Sequence, residues 1–150
     1  MDKLGVNLSY YQLKCFSQGF PLKTVCQIGI QLLDRIQALH KLGILHLDIK
    51  PDNICLGKNN QEVNLIDFGL SKRWHNKGLH VPHKSNQPFC GHLIFASRWA
   101  ALGETMSRRD DICSLVYTLL YLAGRKLPWF DITNRTFEEV SRMKLVLLPE

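Results

Sequence analysis

The chain has 150 residues, 45% of them hydrophobic, which suits one globular domain with a sizeable core. Its longest apolar stretch, residues 115–123, is too short to cross a bilayer, and the first residues lack the apolar core of a signal peptide. The net charge of +6 is spread over single residues and short pairs, so no dedicated nucleic-acid-binding arm is expected.

The cysteines indicate the redox compartment. There are five, scattered along the chain, and none forms a Cys-x-x-Cys pair. An odd number of dispersed cysteines is typical of reduced thiols rather than of a disulfide framework. We therefore expect the protein in the cytoplasm or the nucleus.

The first strongly periodic segment is a helix predicted over residues 22–40. Pro21 suits its first turn, and Gly43, which follows the basic Lys41, suits a left-handed stop. Its apolar residues recur every three or four positions and would form one stripe, made of Val25, Ile28, Leu32, Ile36 and Leu39.

A short hairpin is predicted next, with strands over residues 54–56 and 63–66 and a turn over residues 57–61. Asn53 precedes its first strand and Asp67 follows its second. Because a hairpin brings its two ends together, it would set these side chains side by side although they are fourteen residues apart. Both could then reach one metal ion.

Residues 71–106 are predicted to form a long loop rich in Gly, Pro, His and Ser, and loops of this length are usually functional. A second helix is predicted over residues 108–123, with Ser107 as its N-cap and Gly124 at its end. The expected fold class is mainly α with one small β-hairpin. The buried face of the second helix is expected to contain Ile112, Leu115, Val116, Leu119 and Leu120.

Four side chains around the hairpin are of the types that phosphoryl transfer requires. Asp48 is a carboxylate that can orient an attacking hydroxyl, and Lys50 is a cation for the transferred phosphoryl oxygens. Asn53 and Asp67 are oxygen ligands suited to Mg²⁺. The alternative is a solvated Asp-Lys pair with two turn-forming residues, which leaves the joint spacing of these motifs unexplained.

Four further residues are expected to support this site. His46 would pack against the loop and hydrogen-bond it rather than act as a base. Phe68 and Gly69 complete the motif that Asp67 begins, and Gly69 would let the chain turn sharply. Asp111 would accept hydrogen bonds from backbone amides of the loop, a role compatible with the preference of a helix N-terminus for acidic residues. Its neighbour Asp110 is assigned only that helix-dipole effect.

The histidines of the long loop raise the alternative of a zinc site. Zinc binds His and Cys, and the segment contains five such residues: His75, His80, His83, Cys90 and His92. Their spacing matches no compact zinc motif, so solvated loop histidines are the favoured interpretation.

At this point the sequence resembles the protein kinases, and among them the casein kinase 1 family. Residues 48–53 resemble the catalytic loop of that family, and residues 67–69 its second metal-binding motif. Residues 1–5 resemble its hinge and residues 20–25 the start of its long helix. Further segments follow in the family order: residues 95–97, 102–103, 107–111 and 127–129.

The resemblance implies an ATP-dependent serine/threonine protein kinase with Asp48 and Lys50 as catalytic residues. It implies that ATP and Mg²⁺ are held by Lys50, Asn53 and Asp67. It also implies a protein substrate, often acidic or already phosphorylated, which suits the positive charge of the chain. No membrane partner is expected.

Three positions depart from the family pattern. Leu47 replaces an arginine before the catalytic aspartate, so control through pairing with a phosphorylated loop is not expected. His92 replaces a threonine close to the catalytic Asp and Lys, and Ile94 replaces an arginine. These changes bear on catalytic efficiency and on substrate preference.

A larger departure lies before the catalytic loop. No Gly-x-Gly-x-x-Gly loop and no strand lysine precede His46, so we interpret residues 1–150 as a kinase C-lobe with the N-lobe absent. We expect a truncated or partial form that is inactive alone. The alternative is a non-catalytic pseudokinase fragment that binds a partner through the exposed face where an N-lobe would dock. A basic helical nucleic-acid-binding domain lacks any matching motif.

Overall fold

The computed structural model describes residues 4–59, 61–76, 78–130 and 135–147. Five α-helices and six short strands follow one another in the described chain. The helices are α1 (Leu8–Cys15), α2 (Leu22–Lys41), α3 (Arg98–Ala101), α4 (Arg108–Leu122) and α5 (Phe137–Leu147). The strands are β1 (Ile44–Leu45), β2 (Ile54–Leu56), β3 (Val63–Leu65), β4 (Lys72–Arg73), β5 (His75–Asn76) and β6 (Leu79–His80). Within the described residues, no helix combines the length and apolarity needed to span a bilayer.

Helix α2 confirms the first periodic prediction, because it spans Leu22–Lys41. Its stripe packs into a core cluster that also receives Leu8 from α1, Ile54 and Val63 from the hairpin, and Leu115 from α4. Four stripe residues are buried, whereas Leu39 is half-buried. Burying side chains of this size stabilises the fold by about 1.5–3 kcal/mol each.

Helix α4 has the predicted position, and its buried face was predicted in part: Leu115 is buried and Leu119 packs against the same core cluster. Ile112, Val116 and Leu120 are about 40% exposed or more, at 38%, 47% and 41%. The buried face instead combines apolar with polar side chains, since it contains Asp111, Ser114, Leu115, Thr118 and Leu122. The polar side chains of Asp111 and Thr118 face inward because they hydrogen-bond the loop of residues 46–53. Thr118 Oγ1, for example, donates to the carbonyl of Ile49 at 3.4 Å. An apolar count alone could not identify this face.

The predicted hairpin forms between β2 and β3. The two strands are antiparallel, and Ile54 lies opposite Leu65. The backbone amide of Gly57 donates to the carbonyl of Glu62 at 2.8 Å and closes the turn. The second strand ends at Leu65, one residue before the predicted end, and Ile66 continues the pairing through its amide, which donates to the carbonyl of Asn53 at 2.9 Å.

The segment predicted as one long loop, residues 71–106, contains regular structure. Strand β4 pairs with β1, β5 pairs with β6, and α3 forms near the end of the segment. The two-residue strands are too short to show a period in the sequence. Helix α5, which was not predicted, contributes Val140 to a second core cluster with Ile94, Phe95, Tyr117, Leu127 and Trp129.

Candidate active site

The loop between β1 and β2 gathers three of the predicted site residues around one carboxylate. Lys50 Nζ donates to Asp48 Oδ2 at 2.7 Å. Asn53 Nδ2 donates to the same oxygen at 2.8 Å and to the backbone carbonyl of Asp48 at 2.9 Å. Charge-assisted hydrogen bonds of this kind are short and fix the orientation of the group that accepts them.

The other oxygen of Asp48 is left free to accept a hydrogen bond. Asp48 Oδ1 is buried and has no hydrogen-bond partner among the residues that the structure describes. A buried polar atom without a partner costs about 1–3 kcal/mol, so Asp48 Oδ1 is a candidate acceptor for the hydrogen bond of a bound group. The site therefore presents one fixed carboxylate oxygen to an incoming donor.

The hairpin brings Asp67 next to this loop, as its geometry predicted. The amide of Ile66 bonds the carbonyl of Asn53, so Asp67 follows directly after the residue that pairs with Asn53. Asp67 has a left-handed backbone, with φ of 64°, and its Oδ1 accepts from the amide of Gly69 at 3.1 Å. Left-handed non-glycine residues are costly and concentrate at functional sites.

Two oxygen donors at the site are of the kind that magnesium prefers. The Asn53 amide nitrogen is occupied by Asp48, so its carbonyl oxygen is the atom free to ligate. The carboxylate of Asp67 is exposed. One amide oxygen and one carboxylate suit Mg²⁺, which keeps several waters and takes its remaining ligands from substrate phosphates.

The buried side chain of His46 stabilises the loop of residues 46–53 through hydrogen bonds. Its ring is fully buried, its Nε2 lies 3.1 Å from the carbonyl of Ile66, and its Nδ1 accepts from the amide of Asp48 at 3.3 Å. Burial lowers the pKa of His46, and the opposing effect of nearby carboxylates, with Asp111 the largest, is weaker. Phe68 packs edge-on against this ring with centroids 5.0 Å apart. The neutral ring thus joins the loop to the end of the hairpin.

Asp111 fixes the start of the same loop. Its Oδ2 accepts from the amide of His46 at 3.0 Å, and its Oδ1 accepts from the amide of Leu47 at 2.8 Å. His40 Nε2 lies 2.8 Å from Oδ2 and completes the set. Sequence reasoning missed His40, although it continues the buried stripe four residues after Ile36, a spacing that places both on one side of α2.

Asp110 does more than favour the helix N-terminus, so the dipole-only assignment was wrong. It is buried, it accepts a short hydrogen bond from Ser97 Oγ, and it accepts from the amide of Ser107 at 2.6 Å. Ser97 is the N-cap residue of α3 and Ser107 that of α4, so the buried carboxylate of Asp110 bonds both cap residues. Asp110 therefore ties residues 97–107 to the start of α4.

Two of the three departures lie at the site. Leu47 is buried with a left-handed φ of 68° directly before Asp48. His92 is half-buried, and its Nδ1 is buried without a partner among the described residues. Burial lowers the pKa of His92, Lys50 lowers it further, and Asp48 acts in the opposite direction. The charges of Lys50 and Asp48 therefore act on the imidazole in opposite directions. Ile94, the third, is buried in the second core cluster.

The loop histidines make contacts other than those of a metal cluster in the described ranges. In the described ranges, no group of three or more His, Cys, Asp or Glu side chains converges so as to hold a metal ion. Instead His75 and His80 face each other across β5 and β6 beside Trp74, and His83 pairs with Glu104 at 2.5 Å. The zinc alternative therefore has no geometric support in this part of the chain.

A comparison with known families agrees with this geometry. The family model described as "Protein kinase domain" matches residues 8–149, which is nearly the whole chain. The match includes every candidate site residue, from His46 to Asp111. The chain belongs to the protein kinase domain family.

Proposed function

We propose that this chain is the C-lobe of an ATP-dependent serine/threonine kinase of casein kinase 1 type. The observation that carries the proposal is Asp48, whose Oδ2 is held by Lys50 and Asn53 while Oδ1 is buried without a partner. This arrangement suits a carboxylate that orients a substrate hydroxyl. Family membership supports the kinase activity, and the residue resemblance supports its type.

The chain's own residues then have distinct tasks. Asp48 Oδ1 accepts the hydrogen bond of the substrate hydroxyl and takes up its proton as the new bond forms. Lys50 Nζ, which lies 2.7 Å from Asp48 Oδ2, places a positive charge beside the reacting oxygens. Asn53 and Asp67 would hold Mg²⁺ and, with Lys50, the nucleotide phosphates. When bound, Mg-ATP supplies the phosphoryl group and neutralises charge on the phosphates.

An acidic or already phosphorylated serine/threonine protein is the substrate class that we propose. A net charge of +6 attracts negatively charged partners through its field. The five cysteines are free thiols, which suits a cytoplasmic or nuclear kinase.

A second candidate is a non-catalytic interaction module. Phe68 and Leu70, which follow Asp67, are 49% and 38% exposed. Exposed apolar side chains beside a site favour a protein partner on that face. This candidate gives no role to the ordered contacts of Asp48.

The test is a phosphate-transfer assay on the protein encoded by the native transcript, after its 5′ end has been mapped. Its peptide substrates share one sequence and differ at the acceptor, which is Ser, Thr or Tyr, and in flanking residues, which are acidic or neutral. We expect transfer from γ-labelled ATP to Ser and Thr, with the acidic peptide preferred. Asp67→Asn should reduce transfer at least about 100-fold, because it removes a charged metal ligand.

Asp34→Asn is the matched control, since Asp34 is an exposed carboxylate on α2 away from the catalytic loop, and it should retain wild-type transfer. Labelling of tyrosine alone would contradict the serine/threonine assignment. Absence of labelling on every peptide, together with binding of a partner that Phe68→Ser and Leu70→Ser abolish, would favour the interaction module.

A further inference from the structure

Helix α5 places a lysine in the interior. Lys144 is fully buried, and its Nζ donates to the backbone carbonyls of Leu93 at 2.6 Å and Ile94 at 3.2 Å, and to that of Ala96 through a short hydrogen bond. The ammonium group also lies 5.3 Å from the ring centre of Tyr117 and 5.2 Å from that of Trp129. Three carbonyls match the three donors of an ammonium group, and ring faces attract a cation.

This lysine lacks the usual partner of a buried cation. Among the described residues, no carboxylate lies within ion-pair distance of Nζ. Lysine is almost never fully buried unless it is paired, because desolvation of its charge is costly. A methionine or leucine would fill the same space without that cost, so the contacts that the amine makes are the feature to explain.

The carbonyls that Lys144 binds belong to a segment that contacts the catalytic loop. A side chain at Gly91 would place its Cβ only 2.9 Å from the carbonyl oxygen of Leu47, so the two backbones pass in direct contact. His92 follows, and its ring responds to the charges of Asp48 and Lys50. Its carbonyl accepts from the amides of Phe95 at 2.9 Å and Ala96 at 2.8 Å, which folds the segment into a turn.

We propose that Lys144 is a positioning residue: its buried amine docks segment 91–97, and with it His92, against the catalytic loop. The other fixed points of this segment are Trp129, whose Nε1 donates to the carbonyl of Ile94 at 2.8 Å, and Ser97, which bonds Asp110. Lys144 binds three carbonyls of the turn, those of Leu93, Ile94 and Ala96, whereas Trp129 binds one. The consequence for transfer rests on the proposed function, whereas the docking itself does not.

Docking is linked to the protonation of this amine. Burial lowers the pKa of Lys144 from 10.5 to about 7. The other titratable groups around it, on α4 and on the segment, stay neutral near that pH: burial raises the pKa of Cys113, raises that of Tyr117 to about 12, and lowers that of His92. Opening of the segment would expose the amine to water and restore its ordinary pKa. Burial outweighs the three carbonyls and two rings that favour the charged amine, so the docked form binds the proton less tightly than the open form. Docking therefore strengthens as pH rises from about 7 towards 10.5, although the neutral amine keeps only two of its three N–H donors.

The test is amide hydrogen exchange of the whole chain, without nucleotide or substrate, at about pH 6.5 and about pH 8.5. After correction for intrinsic rates, we expect protection of the Phe95 and Ala96 amides to rise about tenfold over this interval. Lys144→Met should abolish the rise, and at the higher pH it should lower protection about tenfold, since two or more hydrogen bonds are lost. Amides of α2 serve as the internal reference.

Lys23→Met is the matched control, because Lys23 is an exposed lysine on α2 and its loss should leave the rise intact. Protection of the Phe95 and Ala96 amides that stays at the wild-type level in Lys144→Met, or in Lys144→Ala if the methionine variant fails to fold, would overturn the docking. Equal protection at both pH values in the wild-type chain would overturn its link to protonation. If protection still rose with pH in Lys144→Met, the rise would come from the titration of another group. None of these readouts depends on phosphate transfer, so a failed transfer assay would count against the proposed function alone.

Discussion

At the scale of single residues, the buried carboxylates carry most of the organisation of the site. Asp111 accepts hydrogen bonds from two backbone amides and also bonds the His40 ring. Asp110 accepts hydrogen bonds from Ser97 Oγ and from the amide of Ser107. Neither points to the reacting groups. Each instead fixes a backbone segment, and Asp111 in particular fixes the two residues that precede Asp48.

Replacement of Asp111 by asparagine tests this role. One carboxylate oxygen becomes an NH₂ group that faces a backbone amide, so a buried donor loses its acceptor. We expect the free energy of unfolding to fall by about 2–4 kcal/mol, measured by urea denaturation. The amide resonances of His46 and Leu47 should shift in the same variant.

Asp34→Asn provides the comparison, because that carboxylate is exposed on α2 and its loss should change stability by no more than about 0.5 kcal/mol. If Asp111→Asn lowered the free energy of unfolding no more than this control, the Asp111 carboxylate would not be needed to hold the amides of His46 and Leu47. The assigned role would then be wrong.

Residue chemistry could be predicted where a motif fixes it. The spacing of Asp48, Lys50 and Asn53 placed in one loop three side chains that the structure brings into contact. The hairpin pattern placed the backbone of Asp67 beside that loop. Lys144 offered no such signal, since a lysine among Glu, Arg and Ser on an amphipathic helix looks like a solvated one. Its burial depends on carbonyls 48–51 residues away in sequence, which no local pattern reveals.

At the scale of elements, a glycine-dependent close approach joins the turn before α2 to the end of α4. Gly124 has a left-handed φ of 73°, and a Cβ there would lie 2.0 Å from the carbonyl oxygen of Gln18. The amide of Phe20 donates to the carbonyl of Leu122 at 2.7 Å at the same crossing. The two helices can approach this closely only because no side chain separates them.

Gly124→Ala should therefore be far more damaging than a left-handed alanine in open space. Gly78 supplies the comparison, because its φ of 81° is similar and a Cβ there would meet nothing within 4 Å. We expect Gly78→Ala to lower the unfolding free energy by about 1 kcal/mol, and Gly124→Ala by about 3 kcal/mol or more. Urea denaturation of both variants measures the difference. Equal losses of unfolding free energy would show that the backbone at this crossing can shift to make room for the added Cβ.

The elements also show which periodicities can be interpreted. The stripe of α2 predicted its buried face because Val25, Ile28, Leu32 and Ile36 all pack into an apolar core cluster. His40, which continues the stripe and bonds Asp111, was missed because its contact is polar. The face of α4 was predicted only in part because it serves two purposes. Leu115 packs in the core as predicted, whereas Asp111 and Thr118 bond the loop of residues 46–53. Apolar counting favours Ile112 and Val116, which are exposed. Polar anchoring thus overrides the hydrophobic pattern where a helix supports a site.

At the scale of the whole molecule, the site lies where two core clusters meet. Ile49 in the catalytic loop belongs to the first cluster, and Ile94 and Phe95 belong to the second. Helix α4 contributes to both, through Leu115 and Tyr117. The catalytic loop and segment 91–97 are therefore each anchored in a different core, and their relative placement depends on α4 and α5.

The most direct test of the account is a comparison of Asp48→Asn with Asp52→Asn in the phosphate-transfer assay. Asp52 is an exposed carboxylate four residues from Asp48 in the same loop, so the two variants differ in position but not in charge. We predict that Asp48→Asn keeps its fold, by circular dichroism, and loses at least about 1,000-fold in kcat, whereas Asp52→Asn stays within about threefold of wild type. Transfer that survives in a folded Asp48→Asn variant would contradict the central claim.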